Sequence, residues 1–150
     1  MIVLPDKMSQ EKIFNLRAMG AEVVLTRSDV AKGHPEYYQD IAQRLADEDP
    51  SAYYINQFAN EANPDAHERT TGPEIWEQMD GKIACLVAGM GIGGTICGVA
   101  RYLKEQDPSI EVVAVDPEGS VFYDWFHSHR EVEPGPYLIE GLGDEEILAT

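Results

Sequence analysis

The segment that decides the fold is residues 85–98, which read CLVAGMGIGGTICG. A short apolar run leads into four glycines within six positions, and an amphipathic segment follows directly. This order predicts a strand, a tight loop and a helix. Glycine permits positive φ and a close approach of the backbone, and the first turn of a helix carries N–H groups without intrahelical partners. Together these features predict a cradle for an anion, best suited to phosphate.

The glycine spacing leaves more than one interpretation open. Gly89-x-Gly91-x-x-Gly94 matches the dinucleotide-binding pattern, and Asp116 lies near the distance at which an NAD site places its acidic residue. A glycine-rich turn that only lets a helix pack closely on a sheet would contain the same letters. A Walker loop is excluded, because no Gly-Lys-Ser/Thr sequence follows. The motif alone does not distinguish a nucleotide-binding site from a structural turn.

The composition limits the possible partners. The 150 residues include 11 Lys and Arg against 27 Asp and Glu, a net charge of -16. Such a charge argues against nucleic acids and anionic membrane surfaces as partners. No apolar run approaches the roughly 20 residues of a membrane span, and no signal peptide precedes the first strand. With Cys85 and Cys97 interpreted as buried thiols, we expect a cytoplasmic protein.

Strands and helices alternate along the chain. Apolar residues occupy most positions of the predicted strands, which favours an α/β fold with parallel sheets and helices on both faces. The predicted strands are residues 1–5, 21–26, 52–55, the run that starts at residue 85, and a buried strand at 110–115. The predicted helices are one capped by Ser9 and ended by Gly20, one at 36–48, one from about 63 to 79 that bends or restarts near Pro73, and one at 95–105. Ligands of such sheets bind beyond the carboxyl ends of the strands, so the glycine loop, Gln57 and Asp116 are expected in one cleft.

Several motifs follow each other in an order that resembles one family over nearly the whole chain. They are Met8-Ser9-Gln10-Glu11-Lys12, Asn56-Gln57-Phe58, Asn63-Pro64-x-Ala66-His67, Thr71-Gly72-Pro73-Glu74-Ile75-Trp76, the glycine loop, Asp116-Pro117-Glu118-Gly119-Ser120 and Glu140-Gly141-Leu142-Gly143. The family is that of cysteine synthase and cystathionine beta-synthase, pyridoxal-phosphate enzymes of the tryptophan-synthase-beta-like fold (fold type II). The resemblance implies a central fragment of such an enzyme, with residues 1–58 in the smaller domain and 59–150 in the larger, cofactor-phosphate-binding domain.

The resemblance also implies which residues form the site. The matching loop would bind the phosphate of pyridoxal 5'-phosphate through backbone amides and the Thr95 hydroxyl, and Gln57 and Phe58 would approach the substrate carboxylate and the edge of the cofactor. Gly141 would lie beside the cofactor. The loop residues are Gly91, Ile92, Gly93, Gly94 and Thr95. With this interpretation, Asp116 becomes the end of a strand rather than a ribose ligand.

The sequence departs from the family in two places. Ile92 stands where the family has threonine, and a missing hydrogen bond to a charged group is worth about 1.5–3 kcal/mol, or roughly ten- to a hundred-fold in affinity. The family's Schiff-base lysine and its Ser-Gly-Asn-Thr type loop have no counterpart here. The lysines, none in a matching context, are Lys7, Lys12, Lys32, Lys82 and Lys104. We therefore assign no catalytic residue and expect the chain alone to be inactive.

For the parent enzyme the resemblance implies beta-replacement. Serine or O-acetylserine and a sulfur nucleophile would give cysteine or cystathionine, and the parent would be a homodimer acting on a small amino-acid substrate. The alternative is a non-catalytic relative of the same fold that still binds a phosphate ligand. Three histidines have ordinary interpretations: His67 is expected to pack or cap a helix, and His127 and His129 to lie in a solvated loop rather than bind a metal.

Overall fold

The structure is a computed structural model that describes residues 1–30, 32–139 and 141–148. The chain divides into two compact units, Met1–Ile55 and Asn56–Thr150. The domain boundary proposed from the sequence lies nearby, after residue 58. The assignment of the two units to a smaller and a larger domain of a longer enzyme stays a prediction.

The first unit is built on a parallel pair of strands. Ile2 pairs with Val23 and Pro5 with Thr26, and the connection between the two strands is helical. Its elements are β1 (Ile2–Pro5), α1 (Gln10–Ala18), β2 (Val23–Thr26) and α2 (Tyr38–Glu48). The Ser9 hydroxyl accepts a hydrogen bond from the Lys12 amide at 3.4 Å, and Gly20 has φ 85°. The start and end predicted for the first helix are therefore confirmed.

The prediction of a strand at residues 52–55 is wrong. The backbone there has no regular structure, and the side chains of Tyr53 and Ile55 are 81% and 64% exposed. Apolar residues favour a strand only where a neighbouring strand supplies hydrogen-bond partners. Among the described residues of this unit, only β1 and β2 form such a ladder.

The second unit alternates helices and strands as the sequence predicts. The two strands described in it are parallel, with Cys85 opposite Glu111 and Gly89 opposite Val115. The elements are α3 (Ala62–Ala66), a π-helical turn (His67–Thr71), α4 (Gly72–Gln78), β3 (Cys85–Gly89), α5 (Gly94–Gln106), β4 (Glu111–Val115) and α6 (Phe122–Ser128). The α/β class with parallel sheets is confirmed.

The core of this unit lies between α5 and the sheet. Val99 and Leu103 of α5 are buried together with Ile110, so these two residues mark the inner face of the amphipathic helix that the sequence predicts. The residues packed against this centre are Ile75, Trp76, Ile83, Leu86 and Tyr102.

Burial of the sheet differs from the prediction. β4 is exposed at every position, although residues 110–115 are predicted as a buried strand. Cys85 is exposed as well, not a buried thiol, and it is not joined to Cys97 in a disulfide. Side chains alternate between the two faces of a strand, so on β3 Leu86 packs on the core while Val87 is 62% exposed. Within the described part of the chain, the packed core covers only one face of this sheet.

The helix predicted between residues 63 and 79 restarts where the sequence indicates. The Gly72 amide donates to the His67 carbonyl, an i to i−5 bond, and Pro73 follows at the start of α4 without an N–H of its own. The wide turn brings its backbone against α5. A Cβ at position 98 would lie 2.8 Å from the Cβ of His67, and one at position 72 would lie 2.7 Å from the Cβ of Tyr102. Glycine at both positions therefore permits the contact between these helices.

The segment after β4 contains a helix, α6, that the sequence pattern does not predict. α6 includes His127, for which the sequence predicts a loop, while His129 ends the helix with φ 51°. The helix is only seven residues long, which is too short for its period to stand out in the sequence. No helix among the described residues is long and apolar enough to cross a membrane.

Candidate functional site

An open cavity of about 300 Å³ lies at the carboxyl end of β3, within the second unit. Its wall is formed mainly by the glycine loop and the first turn of α5. The lining residues are Gln57, Asn63, Gly89, Gly91, Ile92, Gly93, Gly94, Thr95, Ile96 and Gly141. The structure thus brings together all the site residues predicted from the sequence except Phe58, which is half-buried and does not line this cavity.

The glycine loop ends in a left-handed residue directly before the first turn of α5. Gly93, the residue before α5, has φ 92° and ψ −23°, in the left-handed region. The first hydrogen bond within the helix runs from the Cys97 amide to the Gly93 carbonyl at 2.9 Å. The amides of Gly94, Thr95 and Ile96 come before that bond, so they have no intrahelical acceptor and carry the positive end of the helix dipole. An anion is the ligand that this geometry suits.

Two glycines allow the walls to close around the loop. A Cβ at position 91 would lie 2.5 Å from the Gly141 carbonyl oxygen, and one at position 94 would overlap the side chain of Asn63. The Gly143 amide donates to the Met90 carbonyl at 2.8 Å, which ties the closing segment to the loop. Any larger side chain at positions 91 or 94 would push these walls away and open the cradle.

Asn63 is a lining residue whose place in the site the sequence does not predict. Its side-chain amide donates to the Gln57 carbonyl at 3.2 Å, and the same side chain packs against Gly94. It therefore fixes the turn that holds Gln57 beside the start of α5. The sequence gives one signal, the motif Asn63-Pro64-x-Ala66-His67, but the motif does not show that the Asn63 side chain reaches the Gln57 carbonyl.

His67 has a further role that the sequence does not predict. Its Nε2 lies 3.0 Å from Oγ1 of Thr95, and its Nδ1 lies 2.9 Å from Oγ1 of Thr71. The half-buried ring thus joins the π-helical turn to the exposed hydroxyl at the cavity. The i, i+4 spacing of His67 and Thr71 is visible in the sequence, but the contact with Thr95, 28 residues away, depends on packing.

Asp116 does not line the cavity, contrary to the expectation that it shares one cleft with the glycine loop. Its Oδ2 accepts a hydrogen bond from the Tyr123 amide at 3.1 Å, in the first turn of α6. Its Oδ1 is buried and has no hydrogen-bond partner among the described residues. A carboxylate engaged at the start of a helix is not placed to bind a ribose, which disfavours the dinucleotide interpretation.

One carboxyl group beyond the closing segment has a shifted pKa. Burial raises the pKa of Asp144, and the opposing effect of the Glu145 and Glu146 amides, which donate to its Oδ1, is smaller. The backbone amide of Asp144 donates to the Ser120 hydroxyl at 3.2 Å. The folded chain therefore favours the neutral form of Asp144 more than the unfolded chain does.

Strand, glycine loop and helix N-terminus together have the geometry that suits an anion at the edge of a parallel α/β sheet. The chain belongs to the family described as "Pyridoxal-phosphate dependent enzyme", which matches residues 1–149. The resemblance found in the sequence is thereby confirmed, and the cofactor of the family is pyridoxal phosphate.

Individual relatives point to the same group of enzymes. The chain is 46% identical over 146 residues to a cystathionine beta-synthase of Apis mellifera, covering 97% of this chain and 29% of that protein. It is 46% identical over 143 residues to cysteine synthase 3 of Caenorhabditis elegans, covering 95% of this chain and 40% of that protein. A crystal structure of an O-acetylserine dependent cystathionine beta-synthase from Helicobacter pylori superimposes with a TM-score of 0.83 at 40% identity, covering 97% of this chain and 44% of that one.

The similarity extends over almost the whole of this chain but over less than half of each of these relatives. The structural match confirms the tryptophan-synthase-beta-like fold for the part that is present.

Proposed function

We propose that this chain forms the phosphate-binding part of the pyridoxal 5'-phosphate site of a beta-replacement enzyme. The observation that supports this most directly is the cavity at the start of α5, which is lined by Gly94, Thr95 and Ile96, whose amides have no acceptor within the helix. The parent protein would make cysteine or cystathionine from serine or O-acetylserine and a sulfur nucleophile. The names of the relatives, cystathionine beta-synthase and cysteine synthase, support this reaction class.

The lining residues fit a phosphate group. The loop glycines leave the space and the backbone amides that a phosphate needs, and Thr95 adds a hydroxyl donor. Gly141 borders the same space, where we place the cofactor's edge, and Gln57 lies on the side assigned to the substrate carboxylate. Phe58 keeps the role proposed from the family, next to this cavity but not in its wall.

Pyridoxal phosphate, when bound, supplies the electron sink for chemistry at the substrate's α-carbon. The described residues contribute binding and orientation. They contribute no amine to the cavity, because no lysine is among its lining residues in the described part of the chain. Lys104, for example, donates to the Pro108 carbonyl on the surface. We therefore propose that residues 1–150 alone bind the cofactor's phosphate without turning over substrate.

Substrate, assembly and compartment belong to the same proposal. The parent would act on a small amino acid, associate as a homodimer and work in the cytoplasm.

Ligand-dependent stability tests the phosphate site. Pyridoxine 5'-phosphate is the suitable probe, because it lacks the aldehyde that would react with surface lysines. A ligand that binds only the folded chain raises its melting temperature. We expect stabilisation by pyridoxine 5'-phosphate but not by pyridoxine or NAD. Equal effects of pyridoxine and its phosphate, or stabilisation by NAD alone, would contradict the proposal.

A second candidate is a non-catalytic relative that retains only phosphate binding. Ile92 favours it, since an apolar side chain lines the cavity where the family has a hydroxyl. The gene product that contains this chain, purified with pyridoxal phosphate and assayed with O-acetylserine and sulfide or homocysteine, separates the two. Cysteine or cystathionine formation supports the enzyme, whereas cofactor binding without product supports the second candidate.

A further inference from the structure

We propose that His67 is a positioning residue that turns the Thr95 hydroxyl toward the ligand's phosphate. The inference rests on the proposed function, because it requires an anion in the cavity. Its basis is the row of three side chains in which Thr71 Oγ1 lies 2.9 Å from His67 Nδ1 and Thr95 Oγ1 lies 3.0 Å from His67 Nε2. Thr95 lines the cavity, whereas His67 does not.

The direction of one proton decides what Thr95 can offer a ligand. A threonine hydroxyl has a single proton to donate. If Nε2 of His67 carries a proton, the ring donates to Thr95 Oγ1 and the hydroxyl proton remains available for a phosphate oxygen. If Nε2 carries none, Thr95 donates to the ring and offers the cavity only lone pairs, which repel an anion. Phosphate binding and the tautomer of the His67 ring are therefore coupled.

Thr71 makes the productive tautomer possible. With the proton of a neutral ring on Nε2, Nδ1 is an acceptor, and the Thr71 hydroxyl at 2.9 Å is a suitable donor. The same hydroxyl can accept from Nδ1 in the other tautomer, so Thr71 keeps the ring in place in both states. Thr71 therefore does not favour either tautomer, and we expect the bound ligand to decide which one is populated.

The surrounding backbone fixes the position of the ring. The Cβ of His67 lies against Gly98 of α5, and a Cβ at position 98 would also overlap the Pro64 carbonyl. In the same turn, the Thr70 hydroxyl donates to the carbonyl of Ala66, the residue before His67, at 2.6 Å. The ring thus lies where the π-helical turn packs on α5, and it reaches Thr95 from that position.

A double-mutant cycle tests the coupling. The affinity for pyridoxine 5'-phosphate is measured by calorimetry for the wild type, H67L, T95V and the double variant. A hydrogen bond to a charged group predicts a loss of roughly ten- to a hundred-fold for T95V. We expect a loss of similar size for H67L and almost no additional loss when it is added to T95V. H67Q, whose side-chain amide can donate in place of Nε2, should recover most of the affinity.

The outcomes separate this inference from the proposed function. If the wild type does not prefer pyridoxine 5'-phosphate to pyridoxine, the proposed function fails and the inference fails with it. If the wild type prefers the phosphate but H67L weakens binding equally in both backgrounds, His67 has only a structural role and the inference alone is overturned. Should H67L not fold, nitrogen NMR of the wild-type ring decides: the phosphate should raise the population with a proton on Nε2, and an unprotonated Nε2 in the complex would overturn the proposal.

Discussion

Gly98 of α5 lies directly against His67, and a Cβ at that glycine would come within 2.8 Å of the His67 Cβ. This contact sets the spacing between the π-helical turn and the helix that begins at the glycine loop. The His67 ring reaches Thr95 from the same position. The absence of a side chain at Gly98 therefore affects both the packing of the two helical segments and the geometry of the cavity.

Replacing Gly98 with alanine should therefore disturb both stability and ligand binding. The new Cβ overlaps the Pro64 carbonyl as well as His67, and overpacking of this kind costs about 1–3 kcal/mol. Chemical denaturation measures the loss, and titration with pyridoxine 5'-phosphate measures the weaker binding. E105A on the exposed part of the same helix is the control, expected within about 0.5 kcal/mol of the wild type. A G98A chain as stable as E105A would contradict the contact.

Replacing Ile92 with threonine should strengthen phosphate binding. The residue lines the cavity, and a hydroxyl there could donate to the ligand. Valine has the same shape as threonine without the hydroxyl, so I92V is the matched control. We expect I92T to bind pyridoxine 5'-phosphate roughly ten- to a hundred-fold more tightly than I92V, from a hydrogen bond to a charged group. Equal affinities would mean that this side chain does not reach the phosphate.

Replacing Gly93 with alanine should weaken the cradle through its backbone. Gly93 has φ 92°, and the left-handed region costs a residue with a Cβ about 1 kcal/mol or more. Gly20 is a close control, because its φ is 85° and the space around it is open. We expect both G93A and G20A to melt at lower temperature, but only G93A to lose affinity for pyridoxine 5'-phosphate. A loss of affinity in G20A would contradict the location of the site.

Replacing Asp144 with asparagine should stabilise the chain at neutral pH. Burial raises the pKa of Asp144 in the folded state, so its stabilising contribution is present at pH values below the pKa of the unfolded chain and is lost as the pH rises through the folded pKa. Asparagine keeps the Oδ1 that accepts from the Glu145 and Glu146 amides but carries no charge. Melting temperatures should therefore be higher for D144N than for the wild type at neutral pH, and the two should converge in acid, below the pKa of the unfolded carboxyl.

Asp107 provides the control of opposite sign. Hydrogen bonds from the Ser109 side chain and amide lower the pKa of Asp107, so its contribution is present at neutral pH and is lost as the pH falls through the folded pKa. D107N should be slightly less stable than the wild type at neutral pH. If D144N and D107N changed stability in the same direction, burial would not be the cause of the Asp144 shift.

Much of the candidate site could be predicted because its parts are local in sequence. Ser9 and Gly20 bound a helix, Pro73 marks a restart, and the glycine loop joins a strand to α5, as expected from residues that lie within a few positions of each other. The resemblance to a family then supplied Gln57 and Gly141, which lie beside the loop in the cavity.

The remaining features could not be predicted because they depend on distant partners. The apolar residues at 52–55 form no strand, since a ladder needs a second chain segment at the right distance. Cys85 is exposed because alternation assigns it to a face that the packed core leaves uncovered.

The sequence by itself determined the strand, glycine loop and helix start, because backbone freedom and unpaired helical amides are properties of neighbouring residues. Only the tertiary structure decided that Asp116 serves α6 rather than the cavity, and that His67 reaches Thr95. The His67–Thr95 contact joins residues 28 positions apart and is set by how the π-helical turn packs on α5. The Asp116–Tyr123 contact spans only seven positions, but it requires α6 to begin beside the end of β4, which the sequence pattern does not predict.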